Sequence, residues 1–151
     1  MIVGVVKESF PGEQRVALVP SSVPPLVKSG LEVIIETGAG LAAGHPDSHY
    51  QEKGARVLPT RDEAFAGCHI LLQVRTIGAN PDAGRADLGL LRGDQILIGL
   101  AEPLMATEAI KALTETGATL LALELMPRIT RAQSMDVLSS QASIAGYKAV
   151  L

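Results

Sequence analysis

The stretch Ile2-Val3-Gly4-Val5-Val6-Lys7 opens the chain as a short, mostly β-branched apolar run, which is typical of a buried first strand. No basic region precedes this run and no small-residue cleavage site follows it, so it lacks the pattern of a signal peptide. Five further runs of the same kind follow along the chain, at 32–36, 56–58, 69–74, 95–100 and 119–123.

Helical stretches are predicted between these runs. Serine at a helix N-terminus accepts hydrogen bonds from free N–H groups, and glycine commonly ends a helix. These signals predict a further helix that starts near Asp136, after helices at 20–29, 47–53, 62–66 and 106–116. Strands that alternate with helices form parallel sheets. We therefore expect an α/β fold: an open, mostly parallel twisted sheet with helices on both faces, of the Rossmann-like or flavodoxin-like type.

Length and composition predict one globular domain, or at most two very small ones. The chain has 151 residues, of which 47% are apolar and 19% charged, and this balance excludes a disordered chain. A net charge of −3 argues against nucleic acid as a partner, because proteins that bind it cluster Lys and Arg. No apolar run is long enough for a membrane helix, so we expect no direct membrane insertion. The single cysteine, Cys68, cannot form an internal disulfide and favours a reducing cytosol.

Two segments interrupt the alternation of strands and helices. Residues 76–92 contain three glycines and a proline, and this composition predicts a mobile excursion with little core of its own. Residues 127–135 form a polar, arginine-bearing loop between the last strand and the last helix. That helix is still running at Leu151, so we expect either that the sequence is truncated or that it ends where a second domain would begin.

The glycine cluster at 38–44 suggests a nucleotide-binding turn, but its pattern favours a connection over the sheet edge. In a dinucleotide fingerprint the glycines follow the first strand and lead into a helix that faces the pyrophosphate. Here they follow the second strand, and His45-Pro46-Asp47 stands where the helix should begin. His45, His49 and His69 lack further ligands, so no metal site is expected, and Cys68 is expected to be inert packing.

The loop at 7–18 leaves the carboxyl end of the first strand, which is the edge where ligands bind in open α/β sheets. Arg15 in this loop is suited to clamp a carboxylate or a phosphate. An equally good interpretation is a surface arginine that pairs with Glu8 or Glu13, and the residues alone leave this choice open.

The richest polar stretch is Arg128-Ile129-Thr130-Arg131-Ala132-Gln133-Ser134-Met135-Asp136, which follows the carboxyl end of the last strand. The amide of Gln133 is both donor and acceptor, which suits recognition of a carboxamide or a sugar hydroxyl. The alternative is a solvated loop with an Arg–Asp ion pair, in which Asp136 caps the next helix. Both interpretations stay open on the residues alone.

Several segments resemble the family that unites alanine dehydrogenases and nicotinamide nucleotide transhydrogenases. Ile-Val-Gly-Val-Val-Lys-Glu at 2–8, Arg-Val-Ala-Leu at 15–18 and Glu-Thr-Gly-Ala-Gly-Leu at 36–41 resemble the N-terminal domain that both groups share. Pro-Arg-Ile-Thr-Arg-Ala-Gln-Ser-Met-Asp-Val-Leu-Ser-Ser-Gln at 127–141, with Ala-Gly-Tyr-Lys at 145–148, is very similar to the transhydrogenase alpha subunit. The resemblance covers essentially the whole chain and implies the first domain of the NAD(H)-binding component.

What the resemblance implies is direct hydride transfer between NAD(H) on this component and NADP(H) on a partner component, coupled to proton translocation through a membrane component. Arg128 and Asp136 would orient the carboxamide, with Ser139 also near the nicotinamide, and Gln133 would be the catalytic residue that brings the two rings together. The full candidate cofactor-binding set is Arg128, Ile129, Thr130, Arg131, Gln133, Ser134, Met135, Asp136 and Ser139. Such transfer requires close approach of the rings and exclusion of water, without a general acid or base.

The domain organisation also follows from the resemblance. Residues 1–136 would form the N-terminal α/β domain, and residues 137–151 would begin the helix that leads to a second, NAD-binding domain with the family's glycine fingerprint. The chain alone would then be catalytically incomplete, an interaction module without activity. The parent protein would be a homodimer in the cytoplasm, peripheral at the cytoplasmic face of the inner membrane through its partner subunits.

An alanine dehydrogenase-like enzyme is the alternative within the same resemblance. That group binds pyruvate through an arginine, a lysine and a histidine. Arg15 matches the arginine, and Arg75 stands in place of the lysine. The histidine belongs on the loop after the strand at 95–100, where this chain has none. Reductive amination needs a group that polarises and protonates the carbonyl, so the missing histidine argues against this alternative.

Overall fold

Six strands and six α-helices alternate along the chain, which the computed structural model describes from residue 1 to residue 151. The strands are β1 Ile2–Val5, β2 Glu32–Glu36, β3 Arg56–Leu58, β4 Ile70–Arg75, β5 Ile96–Leu100 and β6 Thr119–Ala122. The α-helices are α1 Val23–Lys28, α2 Asp47–Glu52, α3 Arg61–Gly67, α4 Gly84–Asp87, α5 Thr107–Glu115 and α6 Val137–Val150. Short 3₁₀ helices lie at Pro20–Ser22, Leu41–Ala43, Leu123–Leu125 and Thr130–Met135.

All six strands pair in parallel in the order β3-β2-β1-β4-β5-β6, which confirms the predicted fold class. The chain first adds β2 and β3 on one side of β1 and then crosses to build β4, β5 and β6 on the other side. The order therefore reverses between β1 and β4, where Val3 is in register with both Val33 and Ile70. In open parallel sheets, ligands bind outside the carboxyl ends of the strands at such a reversal.

Two apolar clusters pack on opposite faces of the sheet, because successive side chains of a strand point to opposite sides. Ile34 packs with Phe65 of α3 and Leu113 of α5 on one face. Its neighbours Val33 and Ile35 pack on the other face, which α1 and α2 cover. Each fully buried side chain of this size contributes about 1.5–3 kcal/mol to stability. The chain has no Trp, so the buried side chains are mostly aliphatic, with Tyr50 and Phe65 as the largest of them.

The expectation of a mobile excursion at 76–92 is wrong. Residues 76–80 are all buried, and Ile77 joins the apolar cluster of Phe65. Two of the three glycines serve close backbone packing: a Cβ at Gly78 would lie 1.7 Å from the carbonyl oxygen of Ala101, and one at Gly84 would lie 2.8 Å from Cα of Ile77. Glycine at these positions is required by contact between chain segments.

The helix predicted over 20–29 is divided into a 3₁₀ turn and α1. Pro24 and Pro25 carry no N–H group, so they fit only in the first turn of a helix, and α1 accordingly begins at Val23. The last helix begins at Val137 with Asp136 as its N-cap, close to the predicted start. None of the helices combines the length and the apolar surface that crossing a bilayer would require.

Candidate functional site

The polar stretch that the sequence singled out follows β6 and a short 3₁₀ turn, at the carboxyl end of the sheet. We call residues 128–139 the flap. Most flap side chains are exposed, including those of Arg128, Arg131 and Gln133, but Ala132 in the middle is buried. The flap also contains a 3₁₀ helix at Thr130–Met135, which the sequence did not predict. An exposed segment that is attached at one buried residue is well placed to contact a ligand at the sheet edge.

Asp136 anchors the far end of the flap on α6. Its Oδ1 accepts hydrogen bonds from the N–H groups of Leu138 at 3.0 Å and Ser139 at 3.1 Å, and its Oδ2 accepts one from the Ser139 hydroxyl. The hydrogen bond from that hydroxyl, with those from the two N–H groups, lowers the pKa of the Asp136 carboxyl. The predicted N-cap is confirmed. The Arg–Asp ion pair of the alternative interpretation is not formed: no arginine nitrogen lies within 4.0 Å of the carboxylate.

A cavity of about 670 Å³ lies between the flap, the start of α6 and the sheet face of β5 and β6. The sheet contributes the apolar side chains of Ile98 and Leu121 to its floor. The polar part of its lining consists of Gln133, Ser134, Asp136, Ser139, Ser140 and Ser143. The structure therefore brings five of the nine predicted site residues to one cavity: the four polar residues Gln133, Ser134, Asp136 and Ser139, together with Met135. Arg128, Ile129, Thr130 and Arg131 do not line it.

A second cavity of about 600 Å³ is lined by Leu138 and Gln141 of α6 and shares Ile98, Leu123 and Val137 with the first. Arg15 lies at its edge, where Nη1 donates a long hydrogen bond of 3.4 Å to Oε1 of Gln141 on α6. This contact links the loop after β1 to the last helix. The two cavities are therefore neighbours, and residues of α6 line both.

Arg15 and Arg75 converge on the carboxylate of Glu13. Arg15 donates from Nε at 2.7 Å and from Nη2 at 2.6 Å, and Arg75 donates from Nε at 3.0 Å. The hydrogen bonds from Arg15 lower the pKa of Glu13 to about 2. Arg75 also lies 4.3 Å above the ring of Phe10. Of the two interpretations of Arg15, the structure contains the ion pair, and the partner is Glu13.

Glu8 has a different role at the same sheet edge. Its two carboxylate oxygens accept hydrogen bonds from the N–H groups of Val74 at 2.6 Å and Arg75 at 3.1 Å. Burial raises the pKa of Glu8, although these two hydrogen bonds oppose the effect. Glu8 thus ties the loop after β1 to the end of β4, at the reversal of strand order.

Sequence reasoning missed a polar network beside this edge. The guanidinium of Arg61 donates to both oxygens of Asp87, at 2.7 and 2.6 Å, and to the backbone carbonyl of Lys7 at 2.7 Å. Gln73 donates to Asp87 at 3.0 Å. No spacing signal indicates this network, because Asp87 lies in the glycine-rich excursion and meets Arg61 only through the strand order.

The remaining candidates behave as structural residues. Gly38 and Gly44 adopt positive φ values of 73° and 81°, and the N–H of Gly38 donates to Asp47, so the cluster forms a connection, as expected. Cys68 is buried in the apolar cluster of Phe65, and burial raises the pKa of its thiol to about 11, which disfavours the nucleophilic thiolate at neutral pH. No group of three His, Cys, Asp or Glu side chains is arranged to hold a metal ion.

A family model described as "Alanine dehydrogenase/PNT, N-terminal domain" matches residues 4–145. The chain belongs to this family. The NAD(P) transhydrogenase subunit alpha of Cereibacter sphaeroides is 43% identical over 151 residues, which are 100% of this chain and 28% of that protein. This alanine dehydrogenase/PNT N-terminal domain therefore spans less than a third of the length of that relative.

Two solved structures show how closely other members share the fold. A transhydrogenase from Sinorhizobium meliloti matches this domain with a TM-score of 0.89 and 43% identity, over 99% of this chain and 43% of that one. An L-alanine dehydrogenase matches with a TM-score of 0.74 and 36% identity, over 82% of this chain and 32% of that one. The comparisons confirm the family resemblance that the sequence motifs indicated.

Proposed function

We propose that this chain is the N-terminal domain of the NAD(H)-binding component of a proton-translocating transhydrogenase. The observation that carries the proposal is the flap, which lies at the carboxyl edge of β6 and borders a cavity with its Gln133, Asp136 and Ser139. The high identity to a transhydrogenase alpha subunit over the whole chain supports it. The partners are an NADP(H)-binding component and a membrane component, and the parent is a homodimer.

The residues of the cavity fit the nicotinamide end of NAD(H). Its volume of about 670 Å³ falls within the range of small-molecule sites, which is about 300–1,000 Å³. The amide of Gln133 and the serine hydroxyls offer donors and acceptors to a carboxamide or a ribose. The glycine turn does not fit the pyrophosphate, because Asp47 already accepts from the N–H of Gly38. In this proposal the main cradle for the dinucleotide belongs to a second domain.

Bound NAD(H) supplies the hydride donor or acceptor for exchange with NADP(H). In this proposal Arg128 and Asp136 orient the carboxamide, with Ser139 beside it. Ile129, Thr130, Arg131, Ser134 and Met135 complete the cover that excludes water. Gln133 is exposed and lines the cavity, and in this proposal it reaches toward the partner component and brings the two rings together. Positioning of this kind accelerates a reaction by fixing the reacting atoms at close range.

The domain boundary and the location belong to the same proposal. Residues 1–136 form the α/β domain, and 137–151 begin the helix that leads to the NAD-binding domain. The parent protein is cytoplasmic and peripheral at the inner membrane, held there by its partner subunits. The chain alone is catalytically incomplete.

The test is Gln133→Asn in the complete enzyme, with Gln51→Asn on α2 as a matched control, since Gln51 is exposed and distant in sequence from the flap. We expect hydride transfer from NADH to an NADP analogue to slow far more than NADH binding weakens. The control variant should behave as the unmodified enzyme. Unchanged transfer in Gln133→Asn would refute the assigned role.

The second candidate is an alanine dehydrogenase-like enzyme. The observation that favours it is the convergence of Arg15 and Arg75 at the edge where strand order reverses. Against it, Glu13 takes up three of their donor groups, and the loop after β5 presents Ala101 and Glu102 in place of a histidine. NADH oxidation by the full-length protein that depends on pyruvate and ammonia would support this candidate. Its absence, with transfer to an NADP analogue, would reject it.

A further inference from the structure

Glu124 lies in the 3₁₀ turn between β6 and the flap, and its carboxylate joins this turn to the neighbouring strand connection. Oε1 accepts hydrogen bonds from the N–H of Ala101 at 2.8 Å and from the N–H of Glu102. The other oxygen, Oε2, is buried and has no hydrogen-bond partner. Hydrogen bonds to an ionised acceptor are stronger than those between neutral groups. The start of the flap is thus fastened to the carboxyl end of β5.

The end of β5 is a rigid attachment point. Ala101 is buried, and Gly78 packs so closely on its carbonyl oxygen that no side chain fits between them. Thr76 donates to the carbonyl of Leu100 from its N–H at 2.8 Å and from its hydroxyl at 3.0 Å. The connection from β4 therefore holds β5 on one side, and Glu124 holds it on the other.

Glu102 is the one non-glycine residue with a positive φ, at 48°. Successive N–H groups in a turn of this kind form a concavity that binds anions. In this chain the carboxylate of Glu124 occupies that concavity. The unfavourable backbone at Glu102 is therefore coupled to an anion that the flap's own base supplies.

We propose that Glu124 is a positioning residue for hydride transfer, which holds the flap so that Gln133 lies over the cavity. This inference rests on the proposed function. The flap is then held at three points, which are Glu124 before it, the buried Ala132 within it and the Asp136 cap at its far end. Gln133 lies between the last two points and depends on all three for its position.

The experiment compares Glu124→Ala with Glu124→Gln in the full-length protein with its partner components. Glutamine keeps a carbonyl oxygen for both N–H groups but loses the charge, so its effects on cleavage and kcat should be clearly smaller than those of alanine. Alanine removes both hydrogen bonds, and we expect trypsin to cleave after Arg128 and Arg131 on the order of tenfold faster. The kcat for hydride transfer should fall by a similar factor, while the Kd for NADH changes less than about threefold. Unchanged cleavage and kcat in Glu124→Ala would overturn the proposal.

The substitution Glu102→Gly separates positioning from general stability. Glycine adopts a positive φ freely, so the double variant Glu124→Ala/Glu102→Gly should recover the Tm. The double variant should still be cleaved fast and have a low kcat. If Glu124→Ala alone does not fold, the double variant takes its place in the cleavage and kcat measurements. Full recovery of kcat would show that Glu124 only offsets strain. Trypsin cleavage measures how firmly the flap is held and does not depend on hydride transfer. It therefore still tests whether Glu124 holds the flap if Gln133→Asn refutes the proposed function.

Discussion

The carboxylate of Asp136 accepts hydrogen bonds from both the N–H and the hydroxyl of Ser139. These bonds join the end of the flap to the first turn of α6. The apolar side chains of α6 beyond this turn are mostly exposed, among them Ile144 and Tyr147. The beginning of this helix therefore depends on its cap more than on packing.

Replacing Asp136 by Ala should loosen the first turn of α6, whereas Asp136→Asn should not, because asparagine is also a good N-cap. Amide hydrogen exchange at Leu138 and Ser139 measures this directly. The pKa of Asp136 is lowered in the folded state, so the stabilisation is present above the usual aspartate pKa of 3.8. It should disappear only as the pH falls through the lower, folded value. Equal exchange rates in all three proteins would contradict this assignment.

The substitution Glu13→Gln should lower the free energy of unfolding at pH 7, because Arg15 and Arg75 lose their shared anion. The folded pKa of Glu13 is about 2, against an ordinary value of 4.5. Its contribution is therefore complete above pH 4.5 and is lost as the pH falls toward 2. Because the side chain of Arg15 is 38% exposed and screened by solvent, we expect a loss of about 2 kcal/mol.

Urea unfolding at pH 7 and near pH 2 measures the effect of Glu13→Gln. Glu52→Gln is the matched control, since Glu52 is exposed and makes no ion pair. A Glu13→Gln deficit that stays the same at both pH values would show that the ion pairs are not its source.

The close packing of residues 76–92 predicts that alanine at two of its glycines has very different effects on stability. Gly78→Ala places a Cβ 1.7 Å from the carbonyl oxygen of Ala101, so we expect a loss of about 3 kcal/mol or more in stability. Gly89→Ala has no atom nearer than 3.9 Å and should change stability by less than about 0.5 kcal/mol. Thermal unfolding of both variants provides the measurement. Equal Tm values for the two would mean that the excursion is not packed as described.

If the proposed function holds, the isolated chain of 151 residues should bind NADH only weakly, because the proposed flap contacts only the nicotinamide end and the N–H of Gly38 in the glycine turn is already bonded to Asp47. We expect a Kd above about 1 mM, near −4 kcal/mol. Titration of the chain with NADH by fluorescence or calorimetry gives the value. A micromolar Kd would place the main dinucleotide site within this domain.

The strands were predictable because apolar β-branched runs alternate with helix signals, and β2 at Glu32–Glu36 agrees with its prediction at both ends. The close packing of residues 76–92 was not predictable from the sequence, because glycine occurs both in mobile loops and where two backbone segments touch. The contact between Gly78 and Ala101 shows that this glycine serves close packing and does not mark a mobile loop. That contact depends on β5 lying next to β4, which is a property of the sheet and not of the local sequence.

In the candidate site, too, features with a local sequence signal were predictable and contacts between distant residues were not. The flap and its cap were predictable, since Asp136 stands directly before a helical run. The contact between Arg15 and Gln141 joins residues 126 positions apart and leaves no local pattern. The role of Glu124 was equally hidden, because its partners are backbone N–H groups, which every residue other than proline carries.

The most direct test of the account is hydrogen–deuterium exchange of the full-length protein with and without saturating NADH. The central claim is that the flap at 128–139 covers the nicotinamide end of the bound dinucleotide. We therefore expect exchange in peptides from the flap to slow when NADH binds, while peptides from α2 at Asp47–Glu52 stay unchanged. Unchanged exchange in the flap, with protection elsewhere in the protein, would contradict the claim.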